Sequence, residues 1–195
     1  VSANREQIDY WNGEAGATWV RAQGRLDALL APISDALLER AAVRGEDRVL
    51  DVGCGCGGTS LALAERAAAV HGVDVSEPMI AHARARADGR ANLRFSVVDA
   101  AEHAFDAEHD LLFSRFGVMF FADPRAAFTN LRGSLAPGAR LAFVCWQAPR
   151  ENPWMAVAGA AVRPFLPEPE TAPDPRAPGP FAFADPAHVR AVLEG

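Results

Sequence analysis

The chain predicts an α/β fold, a Rossmann-like, doubly wound, mostly parallel sheet with helices on both faces and an N-terminal helical cap. Three observations carry that reading. A short apolar strand pattern at Val49–Val52 runs into a glycine-dense turn, Gly53-Cys54-Gly55-Cys56-Gly57-Gly58. From there strand-like and helix-like stretches alternate, the signature of parallel strands joined by crossover helices. Before it, Leu26, Leu29, Leu30, Ile33, Leu37 and Leu38 recur at helical spacing.

In chain order, helices are expected over Ile8 to Val20 and Arg25 to Ala42, with Gly45 closing the second. Strands are expected at 48–52, 69–74, 93–98, 110–114 and 139–146. Helices are expected at 58–69, 77–88 and 124–135, with a weaker one near 100–104. Asp123-Pro124 and Asn152-Pro153 read as N-caps followed by proline in the first helical turn. A helix near Asn152–Phe165 precedes a proline-dense stretch from Pro164 to Pro180, where missing donors favour an extended excursion, a linker or an ordered lid. Asp185-Pro186 opens a last helix through Leu193. The expectation is a single domain over 1–195: a helical cap at 1–45, a cofactor-binding core at 46–147 and a proline-rich substrate-side or lid region at 148–195.

Composition narrows the function. A net charge of −6, with no lysine and scattered arginines, argues against a nucleic-acid substrate, which needs a basic face. No apolar run approaches the roughly 20 residues that cross a bilayer. Val1–Arg5 lacks the apolar stretch of a signal peptide, so the expected location is cytoplasmic. Cys54, Cys56 and Cys145 form neither a disulfide framework nor a zinc spacing, and no metal is expected.

The glycine turn is a nucleotide-type cradle. Glycines there allow a sharp bend and close approach of a ligand to the main chain, and the next helix presents free N–H groups. Gly53, Gly55 and Gly58 satisfy the G-x-G-x-x-G spacing of a dinucleotide turn, with Asp74 placed as its ribose acid. Asp51 discriminates: a carboxylate there repels a pyrophosphate but offsets a cationic ligand. S-adenosylmethionine, with its ammonium and sulfonium, suits the turn better than NAD, which stands as the less favoured alternative.

With these residues in view the sequence resembles the class I S-adenosylmethionine-dependent methyltransferases, in the small-molecule branch related to quinone biosynthesis. Four segments carry the resemblance in order: Val49 to Gly57, Gly72 to Met79, Val97-Val98-Asp99-Ala100, and Asp110 to Ser114. It implies that Asp51 neutralises the cofactor's ammonium, that Gly53, Cys54, Gly55 and Gly57 form the close backbone contact, and that Asp74 accepts from both ribose hydroxyls. Val75 and Met79 become walls of the adenine pocket, Asp99 and Ala100 its polar edge, and Ser114 part of the cofactor site. Trp11, Trp19 and Arg115 are candidates for lid or substrate contacts. No side chain is marked as a general base. The aromatic residues after the fourth strand suggest an apolar acceptor pocket.

The family's pattern ends with two more strands in an antiparallel hairpin, and nothing up to Gly195 supplies them, so the expectation is either that the sequence is truncated or that these strands are missing. A fifth strand left at the edge carries unpaired backbone groups and allows a homodimer. The function expected is methyl transfer to a small apolar or aromatic acceptor. The competing readings are a non-catalytic cofactor-binding protein or partner subunit and, less favoured, an NAD-type oxidoreductase.

Overall fold

The computed structural model describes residues 4–106, 108–166 and 174–194. Five parallel strands form one sheet in the order β3-β2-β1-β4-β5. They are β1 (Arg48–Val52), β2 (Ala69–Asp74), β3 (Leu93–Val97), β4 (His109–Arg115) and β5 (Leu135–Val144). The helices are α1 (Arg5–Asn12), α2 (Glu14–Ala41), α3 (Gly58–Ala64), α4 (Glu77–Ala87), α5 (Pro124–Arg132), α6 (Pro153–Val162) and α7 (Pro186–Glu194). The strand order reverses between β1 and β4, and the crevice beyond their carboxyl ends is where such sheets bind ligands.

Both sheet faces are covered, so the central strands are apolar on alternate residues in both directions. Leu50, Val52, Val73 and Leu112 face a core completed by Leu131 and Phe128 of α5, Val192 of α7, and Phe183 in the turn before α7. Val49, Val70, Leu111 and Phe113 face the other core, with Leu63 of α3, Ile80 and Ala83 of α4, and Leu37 and Leu38 of α2.

The cap is divided differently from the expectation. Its break is at Gly13, and α2 runs unbroken through residues 21–24. Gly24 has open space where a Cβ would sit, so it costs α2 only helix propensity, about 1 kcal/mol. Gly16, by contrast, is required: a Cβ there would stand 2.0 Å from the Trp11 carbonyl oxygen. That carbonyl accepts from Ser76 Oγ at 2.7 Å, seating the α1–α2 corner on the β2–α4 turn.

Other boundaries also shift. α3 ends at Ala64 because the Ala68 and Ala69 N–H groups turn to the Asp47 carbonyl. α5 ends at Arg132, and β5 starts earlier than expected, passing through Gly138 at φ +80°. Residues 100–104 form no helix: Glu102 and His103 donate to the Asp99 carbonyl in a single turn. Asp123 caps α5 by accepting from Ala126 N at 3.0 Å. Asn152 precedes α6 without a capping bond, its side chain donating instead to the Gln147 and Ala148 carbonyls. Part of the proline-dense stretch, 167–173, lies outside the described residues.

Candidate cofactor and acceptor site

The turn after β1 is built by three left-handed glycines with separate duties. Gly53, Gly55 and Gly57 have φ of +69°, +54° and +79°. The Gly53 and Cys54 N–H groups both donate to the Val73 carbonyl, tying the turn to β2. At Gly53 a Cβ would meet Gly117 Cα at 2.6 Å, so this glycine admits the segment after β4. At Gly57 it would meet Phe95 Cζ at 2.8 Å, so this one admits a core side chain and does not line the cavity. Only at Gly55 does the missing side chain leave room, with Met79 Sδ 3.7 Å from the Cβ position.

Asp74 holds the turn from the side. Its Oδ2 accepts from Gly55 N at 2.9 Å and its Oδ1 from Ser76 N at 2.9 Å. The side chain is half-buried on the cavity wall, and burial pushes its carboxyl pKa up. Each oxygen keeps a second lone pair, so the carboxylate can still accept from a ligand.

Asp51 is placed otherwise than the sequence reading expects. It is fully buried beneath the turn, outside the cavity wall, because Thr59 Oγ1 at 2.8 Å and Ser60 Oγ at 2.6 Å draw its Oδ2 toward α3. Its Oδ1 is buried without a protein partner among the described residues. Burial raises its pKa to about 6, against the opposing pull of the two hydroxyls and Arg115. Ser114 is also behind the wall: its Oγ donates to the Val52 carbonyl at 2.7 Å and accepts from Gly117 N at 3.2 Å. It locks β4 to β1 and shapes the site from outside.

One cavity of about 570 Å³ joins the remaining residues. Gly53, Cys54, Gly55, Asp74, Val75, Met79, Asp99 and Ala100 line one part of it, and Trp11, Trp19 and Arg115 also reach it. Asp99 Oδ1 accepts from Ala101 N at 3.0 Å, and the Ala100 carbonyl is taken by Asn130 Nδ2 at 3.1 Å. Elsewhere the wall is aromatic. Trp11 meets Trp19 and Phe120 edge-on, with ring centres 6.0 and 5.3 Å apart. Phe116 stacks on Trp146 at 4.3 Å, and Trp154 meets Trp146 at 5.6 Å. Phe116 takes a left-handed φ of +63°, a strained conformation for a bulky residue, at the end of β4.

Sequence reasoning missed Gln23, Gln7 and Gly117, all on the wall, and Asp27, Thr59 and Ser60 behind it. The hydroxyl pair directly after the glycines was a legible signal. Gln23 was a polar residue on an otherwise apolar helix face, which periodicity alone does not mark. His103 packs on Phe105 with ring centres 4.6 Å apart and does not line the cavity. Burial pushes the Cys56 thiol up to about 11 and Cys145 up to about 12, which keeps both protonated. Among the described residues no group of His, Cys, Asp and Glu side chains is arranged to hold a metal ion.

A parallel sheet with its reversal at β1/β4, a glycine turn after β1 and an acid at the end of β2 define a Rossmann-like nucleotide-cofactor fold. Residues 49–138 match the family described as "Methyltransferase domain". Aklanonic acid methyltransferase DauC of Streptomyces sp. (strain C5) is 36% identical over 131 residues, 64% of this chain and 54% of that protein. Demethylmenaquinone methyltransferase of Thermus thermophilus is 39% identical over 119 residues, 59% of this chain and 52% of that protein. The crystal structure of YcgJ from Bacillus subtilis aligns with a TM-score of 0.56 at 29% identity, covering 67% of this chain and 56% of that one. Over this core the chain carries a methyltransferase domain and is similar to named methyltransferases. It spans about half the length of the two curated relatives.

The cofactor that the sequence resemblance implies is S-adenosylmethionine, and the residues present fit it. Three side-chain acceptors at or beneath the cavity, Gln7 Oε1, Gln23 Oε1 and Asp51 Oδ1, are buried without donors among the described residues. The Gly55 cradle would be filled by a Cβ, and Val75 and Met79 offer an apolar wall. A ligand rich in donors, with a cationic end and an aromatic base, satisfies all of these.

Proposed function

We propose that this protein transfers a methyl group from S-adenosylmethionine to a small apolar or aromatic acceptor. The observation that carries this is the single cavity shared by the glycine turn and the aromatic wall of Trp19, Phe116, Phe120 and Trp146. One chamber brings cofactor and acceptor together without crossing solvent. The names of the two relatives, for aklanonic acid and demethylmenaquinone, support a small-molecule acceptor.

When bound, the cofactor supplies a methyl group on a positively charged sulfur. The protein's part is then to align, hold and exclude water. In this proposal Asp74 accepts from the ribose hydroxyls while keeping the turn in shape. Val75 and Met79 flank the adenine, Asp99 and Ala100 lie at its edge, and Asp51 offsets positive charge from beneath the turn. Trp11 and Trp19 close the chamber from the cap. The unit proposed is one domain: the cap at 1–45, the core at 46–147 and the lid side at 148–195. Pro178, Gly179 and Pro180 on the cavity wall support the last assignment.

The free cysteines support a reducing, cytoplasmic setting. The edge of β5, which pairs only with β4 among the described residues, supports a homodimer. No helix of the described residues is long and apolar enough to cross a membrane.

A second reading, a cofactor-binding protein without turnover, is favoured by one observation. The described wall residues include no histidine, and the two carboxylates among them, Asp74 and Asp99, are those assigned to the cofactor. Calorimetry with S-adenosylmethionine, S-adenosylhomocysteine and NAD side by side tests the cofactor, and binding of NAD alone overturns it. Screening phenols, quinols and amines for methyl transfer then separates the two readings.

A further inference from the structure

Helix α2 brings Gln23 to the cavity wall with only 5% of its surface exposed. Its Nε2 donates to Asp27 Oδ1 at 2.6 Å, and Asp27 Oδ2 accepts from Arg86 Nη2 at 2.7 Å. A carboxylate paired with a guanidinium offers only acceptors, so the amide must turn its nitrogen to Asp27. Gln23 Oε1 is thereby fixed as a buried acceptor with no donor among the described residues. A buried acceptor of this kind is costly to leave unmade.

The same cluster changes where a ligand carboxylate can go. A Cβ at Gly58, the first residue of α3, would stand 2.6 Å from Asp27 Oδ1. The start of α3 therefore already has a protein carboxylate, paired with Arg86, against it, in space that a ligand carboxylate would need. Arg115, on the cavity wall, offers the opposite charge. Its Nη1 donates to Ser34 Oγ at 2.8 Å, and among the described residues no carboxylate pairs with it within salt-bridge distance. Arg115 and Gln23 line the same cavity.

We infer that Gln23 and Arg115 together hold the amino-acid end of the cofactor: Gln23 Oε1 accepts from its ammonium, and the Arg115 guanidinium donates to its carboxylate. The inference rests on the cofactor reading above. It makes the cap part of the binding site. Arg86 fixes this arrangement, since its Nη1 also donates to the Cys56 carbonyl at 2.8 Å and ties the Gln23–Asp27 pair to the glycine turn.

The test compares two ligands by calorimetry on the full chain: S-adenosylhomocysteine, and methylthioadenosine, which keeps the adenosine and thioether but lacks the amino-acid end. Gln23→Leu and Arg115→Gln are each expected to weaken S-adenosylhomocysteine roughly tenfold or more, the loss expected of a hydrogen bond to a charged group. Methylthioadenosine affinity is expected to hold, and it serves as the check on folding. Arg115→Gln keeps a donor for Ser34 and so tests the assignment without altering the packing at Gln23. Unchanged S-adenosylhomocysteine affinity in either variant, or parallel loss of both ligands, overturns the inference. Failure of the unsubstituted protein to bind either ligand overturns the cofactor reading, and this inference with it.

Discussion

Ser60 Oγ donates to Asp51 Oδ2 at 2.6 Å, so the acid that ends β1 is held by the helix that follows the glycine turn. Thr59 donates to the same oxygen, and Oδ1 is left buried and unpartnered among the described residues. The cost of that arrangement depends on pH. Folding raises the Asp51 pKa from 3.8 to about 6, so the folded state favours the protonated acid. The penalty is absent below the unfolded value, grows as pH rises between the two, and is full above about 6. At full strength it is about 3 kcal/mol. Asp51→Asn is therefore expected to raise the melting temperature of the ligand-free protein at pH 7.5, with little gain at pH 4. An unchanged difference across that range would show that Asp51 does not titrate as described.

Bound cofactor should reverse this preference, because a nearby ammonium favours ionised Asp51. Affinity for S-adenosylhomocysteine is expected to rise from pH 5 to pH 7 in the natural sequence. In Asp51→Asn that rise should be lost. A titration series by calorimetry in buffers of matched ionic strength measures both slopes.

Much of this was legible in the sequence. The apolar run Val49–Val52, the glycines and the acids Asp74 and Asp99 gave the sheet and the cavity wall, because short-range pattern decides them. Three features were not legible. The Gly13 break and the unbroken helix through Gly24 depend on what each missing Cβ would meet, not on residue type. Ser114 and Gly57 look like ligand contacts in a motif, yet face Val52 and Phe95 across distances in sequence that no local pattern encodes. Gln23 and Asp27 matter through Arg86, a partner 59 residues from Asp27.

The glycines of the turn should separate by experiment. Gly55→Ala leaves 3.7 Å to Met79 Sδ, so its fold cost is the left-handed backbone alone, about 1–2 kcal/mol. Its methyl group would occupy the cradle, and cofactor affinity is expected to fall more steeply than stability. Gly57→Ala should do the opposite, since the methyl would drive into Phe95 and add an overpacking cost of roughly 1–3 kcal/mol. Urea denaturation paired with calorimetry reads both quantities, and equal behaviour of the two variants would refute the division.

Asp74 holds the turn and is proposed to hold the ribose as well, so its variants should not behave as simple losses of contact. Asp74→Ala removes acceptors for Gly55 N and Ser76 N, and is expected to lower both stability and cofactor affinity, the latter by roughly 1.5–3 kcal/mol. Asp74→Asn keeps one acceptor oxygen and should recover part of the stability. Full cofactor affinity in Asp74→Ala would show that the ribose is held elsewhere.

A last prediction concerns the joint between cap and sheet, remote from the cavity. Arg140 of β5 ion-pairs with Asp47 and donates through Nη1 to the Ala41 and Ala42 carbonyls at 2.7 and 2.8 Å, closing the end of α2. Asp47 is 2% exposed, so removing Arg140 leaves a buried carboxylate whose remaining bond is from Arg44 N at 2.7 Å. Arg140→Met is expected to cost roughly 3–5 kcal/mol of stability, the range for breaking one side of a buried pair. Ala42 at the same joint has φ +46°, the left-handed cap that glycine adopts without strain. Ala42→Gly should therefore stabilise, by roughly 1 kcal/mol. Neither position lines the cavity, so cofactor affinity should be unchanged in both wherever the protein is folded. Opposite shifts in denaturation midpoint at constant affinity would establish the α2–β5 joint as purely structural. A drop in affinity with Arg140→Met under folded conditions would instead show that the cap transmits its position to Gln23.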